Sequence, residues 1–315
     1  MNSKGLMFVI NDRHTYEQLA AITSPENVLM DEELYRHTYT QLGGRADFYV
    51  TPETYEQVQA IVKLALNEAI PFTMLGNGSN LIIKDGGIRG IILNLGRLAA
   101  IHKDGMHIVA QSGARIIDVS QFALSHTLTG LEFACGIPGS VGGALFMNAG
   151  AYHGEIKDVL KSAVVVDREG NLLVLDAADL DLAYRSSNIP ANGYIVLEAT
   201  FVMQAGEYPA IKTVMDDLTH RRESKQPLEY PSCGSVFKRP PGYFAGKLIQ
   251  DSHLQGRQIG GAQVSLKHAG FIINRNGASA TEYIDLIHSV QATVKQTFDV
   301  TLEREVKIIG EDPLT

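Results

Sequence analysis

The sequence has few cysteines and no long apolar segment, and both absences exclude broad classes of protein. Only Cys135 and Cys233 occur in 315 residues, far apart and in no C-x-x-C or Cys/His spacing, so neither a disulfide framework nor a metal site is predicted. No apolar run reaches about 18 residues, and the apolar stretch in MNSKGLMFVINDRH is too short for a signal peptide. We therefore expect a cytoplasmic protein whose two cysteines are small buried residues.

Positive charge is also scarce. Lysine and arginine total 27 against 35 aspartates and glutamates, which gives a net charge of −8, and no run of basic residues occurs. This balance predicts neither a nucleic-acid partner nor a membrane surface, and we expect a monomer. The length exceeds the size at which one core keeps growing, and 45% of the residues are hydrophobic, so two or three domains are predicted.

Two common nucleotide-binding motifs are absent as well. The sequence contains neither G-x-G-x-x-G opening a helix nor G-x-x-x-x-G-K-[ST], which argues against the doubly wound dinucleotide fold and against simple ATPases and kinases. A phosphate site, if present, belongs to another architecture.

Glycine is concentrated instead. Half of the 30 glycines lie between Gly76 and Gly154, in the blocks LGNGSNLIIKDGG and CGIPGSVGGALFMNAGAYHG. Because glycine lacks a Cβ and reaches positive φ without strain, such runs let consecutive N–H groups converge on an anion such as a diphosphate. The alternative is that these glycines only make turns. Two blocks that each begin beside a short apolar run favour a cofactor site.

Hydrophobic periodicity predicts three successive units of helices and strands. The first contains a helix over 54–69 and strands over 72–75 and 91–95. The second contains a strand from His107, a helix over 116–128, a hairpin over 164–175, a strand over 194–203 and a polar helix over 212–225. Pro227 begins the third, which has the helix-like AGKLIQDS, an S-x-x-E capping box at Ser279 and Glu282, a helix to about Phe298 and the final strand LEREVKIIG.

Three polar residues at the edges of these units are candidates for chemistry. Arg185 precedes a Ser-Ser-Asn-Ile-Pro turn, and its planar fork suits a carboxylate or phosphate, although a surface arginine paired with an acid is the alternative. Ser235 lies in the tight PSCGSVFKRP segment with no G-x-S-x-G elbow, so a triad nucleophile is disfavoured and a turn serine is the alternative. Glu305 also has two interpretations. It is either an exposed, salt-bridged strand residue or a buried functional carboxylate.

Seven motifs together carry a family resemblance. They are LGGRADFYV, LGNGSN, GIPGSVGGALFMNAGAYHGEI, YRSS, SCGSVFKRP, AGKLIQ and LEREVKIIG, in order from about residue 40 to 310. In this combination the chain resembles the UDP-N-acetylenolpyruvoylglucosamine reductases, the MurB family. YRSSNIP runs almost directly into YIVLEATFVM without a long insertion that carries a further substrate-gripping tyrosine, so the chain is similar to the shorter, second type of that family.

The resemblance implies a fold and a reaction. The fold is α+β: a two-subdomain FAD-binding fold of the vanillyl-alcohol oxidase (PCMH) type plus a C-terminal α+β substrate-binding domain. The implied limits are 1–100 for the first subdomain, completed by a C-terminal strand in 301–315, 101–226 for the second, and 227–300 for the substrate domain. The implied reaction is reduction of UDP-N-acetylglucosamine enolpyruvate to UDP-N-acetylmuramate for peptidoglycan, with noncovalent FAD and with NADPH as co-substrate.

The resemblance also implies roles for individual residues. Arg185 would stabilise the developing enolate, Glu305 would assist it, and Ser235 would donate a proton to the carbanion. Expected substrate contacts are Tyr152, Lys225, Lys238 and Gln250, any of which could also be a surface residue. Expected FAD contacts are Gly76, Asn77, Gly78, Ser79 and Asn80 at the diphosphate, and Gly136, Ile137, Pro138, Gly139, Ser140, Gly142, Gly143, Asn148 and Gly150 beside the flavin.

Two other functions are compatible with the glycine blocks. A flavoenzyme of the same fold that acts on alcohols or sugar lactones would lack the Arg, Ser and Glu residues in this order. A non-catalytic nucleotide-binding module could have kept the glycines after losing activity, but the presence of Arg185, Ser235 and Glu305 argues against it.

Overall fold

The computed structural model describes residues 12–313. The N-terminal apolar stretch weighed above as a signal peptide, and the last two residues of the 301–315 segment, lie outside the described residues.

The first unit is a four-stranded sheet packed against two helices. Its strands are ordered β1-β2-β5-β3, with β1 antiparallel to β2 and the other neighbours parallel. Helix α2 forms because Val58, Ile61, Val62 and Ala65 repeat at helical spacing and are buried, and because the Thr54 side chain accepts a hydrogen bond from the N–H of Gln57. The elements are α1 (Asp12–Ile22), β1 (Val28–Glu33), β2 (Arg45–Val50), α2 (Tyr55–Asn67), β3 (Phe72–Met74), β4 (Leu81–Ile83) and β5 (Ile88–Leu93).

The second unit is a five-stranded antiparallel sheet with the strand order β12-β11-β13-β7-β6. Helix α4 packs against β13 and β7, and the short ribbons β9–β10 and β8–β14 lie outside the main sheet. The elements are β6 (Ile101–Asp104), β7 (His107–Gln111), α3 (Ile116–Ser125), β8 (Leu128–Thr129), α4 (Val141–Met147), β9 (Gly150–Ala151), β10 (Gly154–Glu155), β11 (Leu160–Val166), β12 (Leu172–Asp176), α5 (Ile189–Asn192), β13 (Ile195–Val202), β14 (Gln204–Ala205) and α6 (Tyr208–Lys225).

The third unit is a four-stranded antiparallel sheet, ordered β15-β18-β17-β16, with a long helix against it. That helix, α8, buries Tyr283, Leu286, Ile287, Val290 and Val294 in the core of the unit. The elements are β15 (Ser232–Ser235), α7 (Ala245–Asp251), β16 (Gln258–Ile259), β17 (Ala262–Val264), β18 (Phe271–Asn274), α8 (Ala280–Phe298) and, beyond it, β19 (Lys307–Ile309).

The end of the chain joins the third unit to the first. Strand β19 pairs in parallel with β4, so that Lys307 lies opposite Leu81 and Ile309 opposite Ile83. The Asp85 carboxylate, just after β4, accepts hydrogen bonds from the N–H groups of Ala280 and Thr281, at 2.7 and 2.9 Å, and from the Thr281 hydroxyl. A first-unit carboxylate therefore caps the N-terminus of α8. The residue limits given above for the domains stay a prediction.

Most predicted elements are present, with two informative differences. The capping box at Ser279 and Glu282 is confirmed, and both cysteines are buried. The second glycine block, by contrast, contains helix α4, which sequence periodicity missed because glycines are poor helix formers. The helix forms there because the Ser140 side chain caps it and because Val141 and Leu145 are fully buried.

The final strand is shorter than predicted. LEREVKIIG was expected to be a strand throughout, but β19 covers only Lys307–Ile309. The N–H groups of Glu305 and Val306 both donate to the Val236 carbonyl, so these two residues do not continue the regular hydrogen-bond ladder of β19. Between residues 12 and 313, no helix has both the length and the apolar character needed to cross a bilayer.

Asp85→Ala tests the link between the first and third units. We expect a loss of about 1–3 kcal/mol in the free energy of unfolding, because three hydrogen bonds to one charged cap disappear. Urea unfolding followed by circular dichroism measures it. Asp216→Ala, which removes an exposed carboxylate on α6, is the control and should change stability by less than about 0.5 kcal/mol. Equal midpoints for Asp85→Ala and the wild type would refute the capping role.

Candidate active site

A cavity of about 1250 Å³ lies where the three units meet, and both glycine blocks form part of its wall. Its size exceeds that of an ordinary small-molecule pocket, about 300–1,000 Å³, so it has room for a dinucleotide together with a second ligand. The residues that the sequence singled out and that line it are Gly76, Asn77, Gly78, Ser79, Asn80, Ile137, Pro138, Gly139, Ser140, Gly142, Gly143, Gly150, Tyr152, Arg185, Lys225, Ser235, Gln250 and Glu305.

The loop over residues 76–80 presents unsatisfied backbone donors to this cavity. None of its five N–H groups finds an acceptor within residues 12–313, although Leu75 just before it and Tyr39 beside it are both hydrogen-bonded through their N–H groups. Backbone N–H groups at partly buried positions are rarely left without a partner. An anionic group such as a diphosphate would satisfy them, which is the arrangement expected of a phosphate-binding nest.

Glycine at position 78 is required by geometry. Its φ is +63°. A Cβ at this position would lie 2.2 Å from the carbonyl oxygen of His37, in the neighbouring segment of the chain. Its own carbonyl accepts a hydrogen bond from the N–H of Tyr39 at 3.0 Å. The loop is therefore held against residues 37–39, and its N–H groups remain free to face the cavity.

The second glycine block lines the cavity in a different way. The N–H groups at the start of α4 are already used: Val141 donates to Ala114, Gly142 to Ser112 and Gly143 to the Ser140 hydroxyl. A Cβ on Gly142 would lie 2.1 Å from the Ser112 hydroxyl oxygen. These glycines let α4 approach its neighbours closely, and they form a wall of the cavity rather than a set of free donors.

Two predicted flavin neighbours do not line the cavity. Gly136 packs beside the Arg222 side chain, where a Cβ would be 2.8 Å from its Cδ. Asn148 is fully buried, and its side-chain amide donates to the Glu155 carboxylate and the Ala183 carbonyl at 2.7 and 3.0 Å. Asn148 therefore anchors the chain two residues before Arg185, and its predicted direct contact with the flavin is not supported by this position.

Arg185 and Glu305 form an ion pair in the cavity wall. Nε of Arg185 donates to Oε1 of Glu305 at 2.9 Å, and Nη2 donates to the Gly150 carbonyl at 2.9 Å. The guanidinium also lies 5.1 Å from the centre of the Tyr184 ring. Nη1 has no acceptor among the described residues. One edge of a fixed guanidinium is thus available to an anionic ligand.

Burial raises the pKa of Glu305 above that of an ordinary glutamate, while the charge and hydrogen bond of Arg185 and the charge of Lys238 act in the opposite direction. The side chain is only 15% exposed. Desolvation is the larger of these effects, so the carboxyl group holds its proton more tightly than a solvated glutamate would. Glu305 is therefore ion-paired, as one alternative from the sequence had it, but it is largely buried and lies before β19 rather than in a strand.

Ser235 lies at the end of β15 with its side chain exposed to the cavity. Its hydroxyl makes no hydrogen bond to any residue in the described part of the chain. The next residue, Val236, accepts a hydrogen bond from the N–H of Glu305 at 2.8 Å. This backbone hydrogen bond places the serine and the carboxyl group on adjacent segments of the chain, and Arg185 is bonded to Glu305.

The four predicted substrate residues divide into two groups. Tyr152, Lys225 and Gln250 line the cavity. Lys238 does not line it: its ammonium group is bound to the Glu303 carboxylate, and its N–H donates to the Glu303 carbonyl at 2.9 Å. Its contact with the substrate stays a prediction.

Arg222 is a residue of the site that the sequence reasoning missed. It lies near the end of α6, lines the cavity, and makes no side-chain hydrogen bond or ion pair within the described residues. Burial lowers its pKa, with partial compensation from Tyr152, Cys135 and Tyr39. A half-buried cation without a counter-ion suits an anionic ligand. Its position three residues before Lys225 on one helix face was the available signal.

Comparisons with known proteins agree with this geometry. An FAD-binding domain model matches residues 46–176, and a model of the C-terminal domain of UDP-N-acetylenolpyruvoylglucosamine reductase matches residues 226–309. The reductase of that name from Oceanobacillus iheyensis is 69% identical over 96% of this chain and 98% of its own, and that from Geobacillus thermodenitrificans is 60% identical over 95% and 98%. The crystal structure of the Thermus caldophilus enzyme (MurB) superposes with a TM-score of 0.77 and 31% identity, over 89% of this chain and 97% of that one.

The fold and the site together define an FAD-dependent oxidoreductase. More particularly, the chain belongs to the UDP-N-acetylenolpyruvoylglucosamine reductase family. The α+β architecture, the flavin cofactor and the family expected from the sequence motifs are confirmed.

Gly78→Ala tests the loop over residues 76–80. Because the new Cβ would collide with the His37 carbonyl, we expect the variant to be purified without FAD or to bind it at least tenfold more weakly. Absorbance of the purified protein and titration with FAD measure this. Gly105→Ala is a matched control, since Gly105 also has positive φ (58°) but nothing within 4 Å of a Cβ. Equal FAD content in the two variants would contradict the role of the loop.

The raised pKa of Glu305 predicts a pH dependence of stability. Between about pH 4.3, the ordinary glutamate value, and the higher pKa in the fold, the folded protein binds more protons than the unfolded chain, so stability falls as pH rises. Relative to Glu305→Gln, the Tm of the FAD-loaded wild type should therefore decline through this window and then level off. Thermal unfolding of both proteins at a series of pH values provides the comparison. A relative Tm that climbs with pH would mean that Arg185, and not burial, dominates.

Proposed function

We propose that the protein reduces UDP-N-acetylglucosamine enolpyruvate to UDP-N-acetylmuramate in peptidoglycan precursor synthesis in the cytoplasm, with NADPH as the electron donor. Overall, NADPH and one proton are consumed, the enolpyruvyl double bond is saturated, and NADP⁺ is released. Family membership supports this reaction over those of flavoenzymes that act on alcohols or sugar lactones. The observation that carries the proposal is the convergence of Arg185, Glu305 and Ser235 on one cavity with the loop over residues 76–80.

The cofactor fits the residues present. The N–H groups of residues 76–80 would hold the FAD diphosphate, and the wall formed by residues 137–143 together with Gly150 would lie beside the ring system. FAD, when bound, supplies hydride transfer between NADPH and the terminal carbon of the enolpyruvyl group.

Arg185 would stabilise the negative charge that this reduction creates. Addition of hydride to the terminal carbon leaves negative charge on the carbon next to the carboxylate, and the charge spreads into the carboxylate as an enolate. The free Nη1 edge of Arg185 would bind this group, and the contacts with Glu305 and Gly150 fix its orientation beforehand. A preorganised donor of this kind contributes roughly 100- to 1,000-fold to a rate.

Glu305 and Ser235 would complete the chemistry. Glu305, whose pKa burial raises, would in its protonated form donate a hydrogen bond to the enolate. The Ser235 hydroxyl would deliver its proton to the carbon next to the carboxylate and recover one through neighbouring polar groups. Arg222 and Lys225, at the end of α6, are cations on the same cavity wall and would face anionic parts of the ligands. Tyr152 and Gln250 are further candidates for substrate contacts.

Ser235→Ala separates the two half-reactions. We expect NADPH to reduce the flavin at the wild-type rate, whereas reoxidation by the enolpyruvyl substrate slows by about 100- to 10,000-fold, the usual contribution of a general acid. Anaerobic stopped-flow absorbance follows both steps. Ser232→Ala, at the other end of β15 and outside the cavity wall, is the control and should behave as wild type. Equal slowing of both half-reactions in Ser235→Ala would count against the proton-donor role.

A further inference from the structure

The third unit contributes an aromatic residue and an arginine to the cavity wall that the proposed chemistry does not use. Phe244, a large apolar side chain, is 61% exposed, and Arg239 places its guanidinium carbon 3.9 Å from the centre of the Phe244 ring. Both side chains line the cavity. The hydrophobic core does not account for Phe244, because more than half of its surface is open to solvent.

A rigid turn holds this pair. In the segment Pro240–Tyr243, the N–H of Tyr243 donates to the Pro240 carbonyl at 3.1 Å, and Gly242 has a φ of 76°. A type II turn requires positive φ at its third position, where glycine is favoured, and it favours proline at its second position. Nε of Arg239 donates to the Tyr243 carbonyl at 3.2 Å. The stack is therefore formed before any ligand arrives.

The charge of Arg239 is not neutralised by a protein carboxylate. No Asp or Glu in the described chain forms an ion pair with it, in contrast to Lys247 and Lys267 on the same wall, which pair with Asp251 and Glu229. An aromatic face backed by a planar cation is a platform on which a nucleobase stacks. Cations beside such a platform match the phosphates that follow a base in a nucleotide.

We propose that Arg239 and Phe244 form the stacking site for the nucleobase of the nucleotide ligands that enter this cavity. The inference rests on the proposed function, because both proposed ligands, a UDP-sugar and NADPH, carry a base linked to a diphosphate. Uracil and adenine share the flat π-face that the platform recognises, so the platform suits either base.

Binding of UDP and of NADP⁺ to the FAD-loaded protein tests the platform. In Phe244→Ala we expect the Kd for at least one of them to rise about 5- to 150-fold, the range for loss of one base–aromatic stack. Phe244→Trp should keep or improve binding. Inorganic diphosphate, which has no base, should bind both variants and the wild type equally. Isothermal titration calorimetry gives all of these constants.

The control is Tyr208→Ala, which removes another exposed aromatic ring, at the start of α6 and outside the cavity. If Phe244→Ala loses affinity for UDP only or for NADP⁺ only, the result identifies the base that stacks. If it loses affinity for both, the two nucleotides share the platform. The proposal would be overturned by unchanged Kd values for both nucleotides, or by an equal loss of affinity for inorganic diphosphate. Phe244 would then serve some other contact.

Flavin reduction and substrate turnover by the wild type distinguish this failure from failure of the proposed function. If the wild type reduces the enolpyruvyl substrate but Phe244→Ala binds nucleotides normally, only the platform is wrong. If the wild type binds UDP through Phe244 but does not reduce the substrate, only the reaction is wrong.

Discussion

The short segment from Glu305 to Lys307 is bonded to all three units, and the geometry of the site depends on it. The Glu305 carboxylate binds Arg185 of the second unit, its N–H donates to Val236 of the third, and the N–H of Lys307 donates to Asn80 of the first at 3.2 Å. The carboxyl group, the serine and the loop over residues 76–80 are therefore fixed relative to one another by backbone hydrogen bonds. Such preorganisation is what electrostatic catalysis requires, because the donors need no rearrangement when charge develops.

The same arrangement explains the opposing influences on Glu305. Where three units converge, water is excluded and the ionised carboxylate loses solvation, yet the neighbouring guanidinium favours ionisation. The position of Arg185 is itself supported by its neighbours, because Asn148 donates a hydrogen bond to the Ala183 carbonyl and the Tyr184 ring lies beside the guanidinium. Asn148, which the resemblance placed at the flavin, is thus bonded to the segment that carries Arg185.

Much of the fold and site could be predicted from the sequence because the signals were local. Periodicity located α2 and α8, the capping box located the start of α8, and the glycine blocks indicated the walls of the cavity. The different uses of the two blocks could not be predicted, because they depend on which N–H groups find acceptors in the fold. The N–H groups of residues 76–80 have no acceptor among the described residues, whereas Ala114, Ser112 and the Ser140 hydroxyl accept hydrogen bonds from those at the start of α4.

Long-range partners account for the remaining differences. Lys238 pairs with Glu303, 65 residues later, and Arg222 lines the cavity without an ion-pair partner among the described residues. The partner of Lys238 and the missing counter-ion of Arg222 are both properties of the folded chain. Arg239 and Phe244 are likewise brought together by the turn between them, and their exposure is a property of the folded cavity.

The most direct test of the account is a double-mixing absorbance experiment on the FAD-loaded wild-type protein without oxygen. NADPH should bleach the yellow flavin band, and subsequent addition of UDP-N-acetylglucosamine enolpyruvate should restore it, with one equivalent of UDP-N-acetylmuramate formed for each flavin reoxidised. A flavin that NADPH reduces but that the enolpyruvyl substrate leaves bleached would contradict the central claim that this cavity transfers electrons to an unsaturated acid.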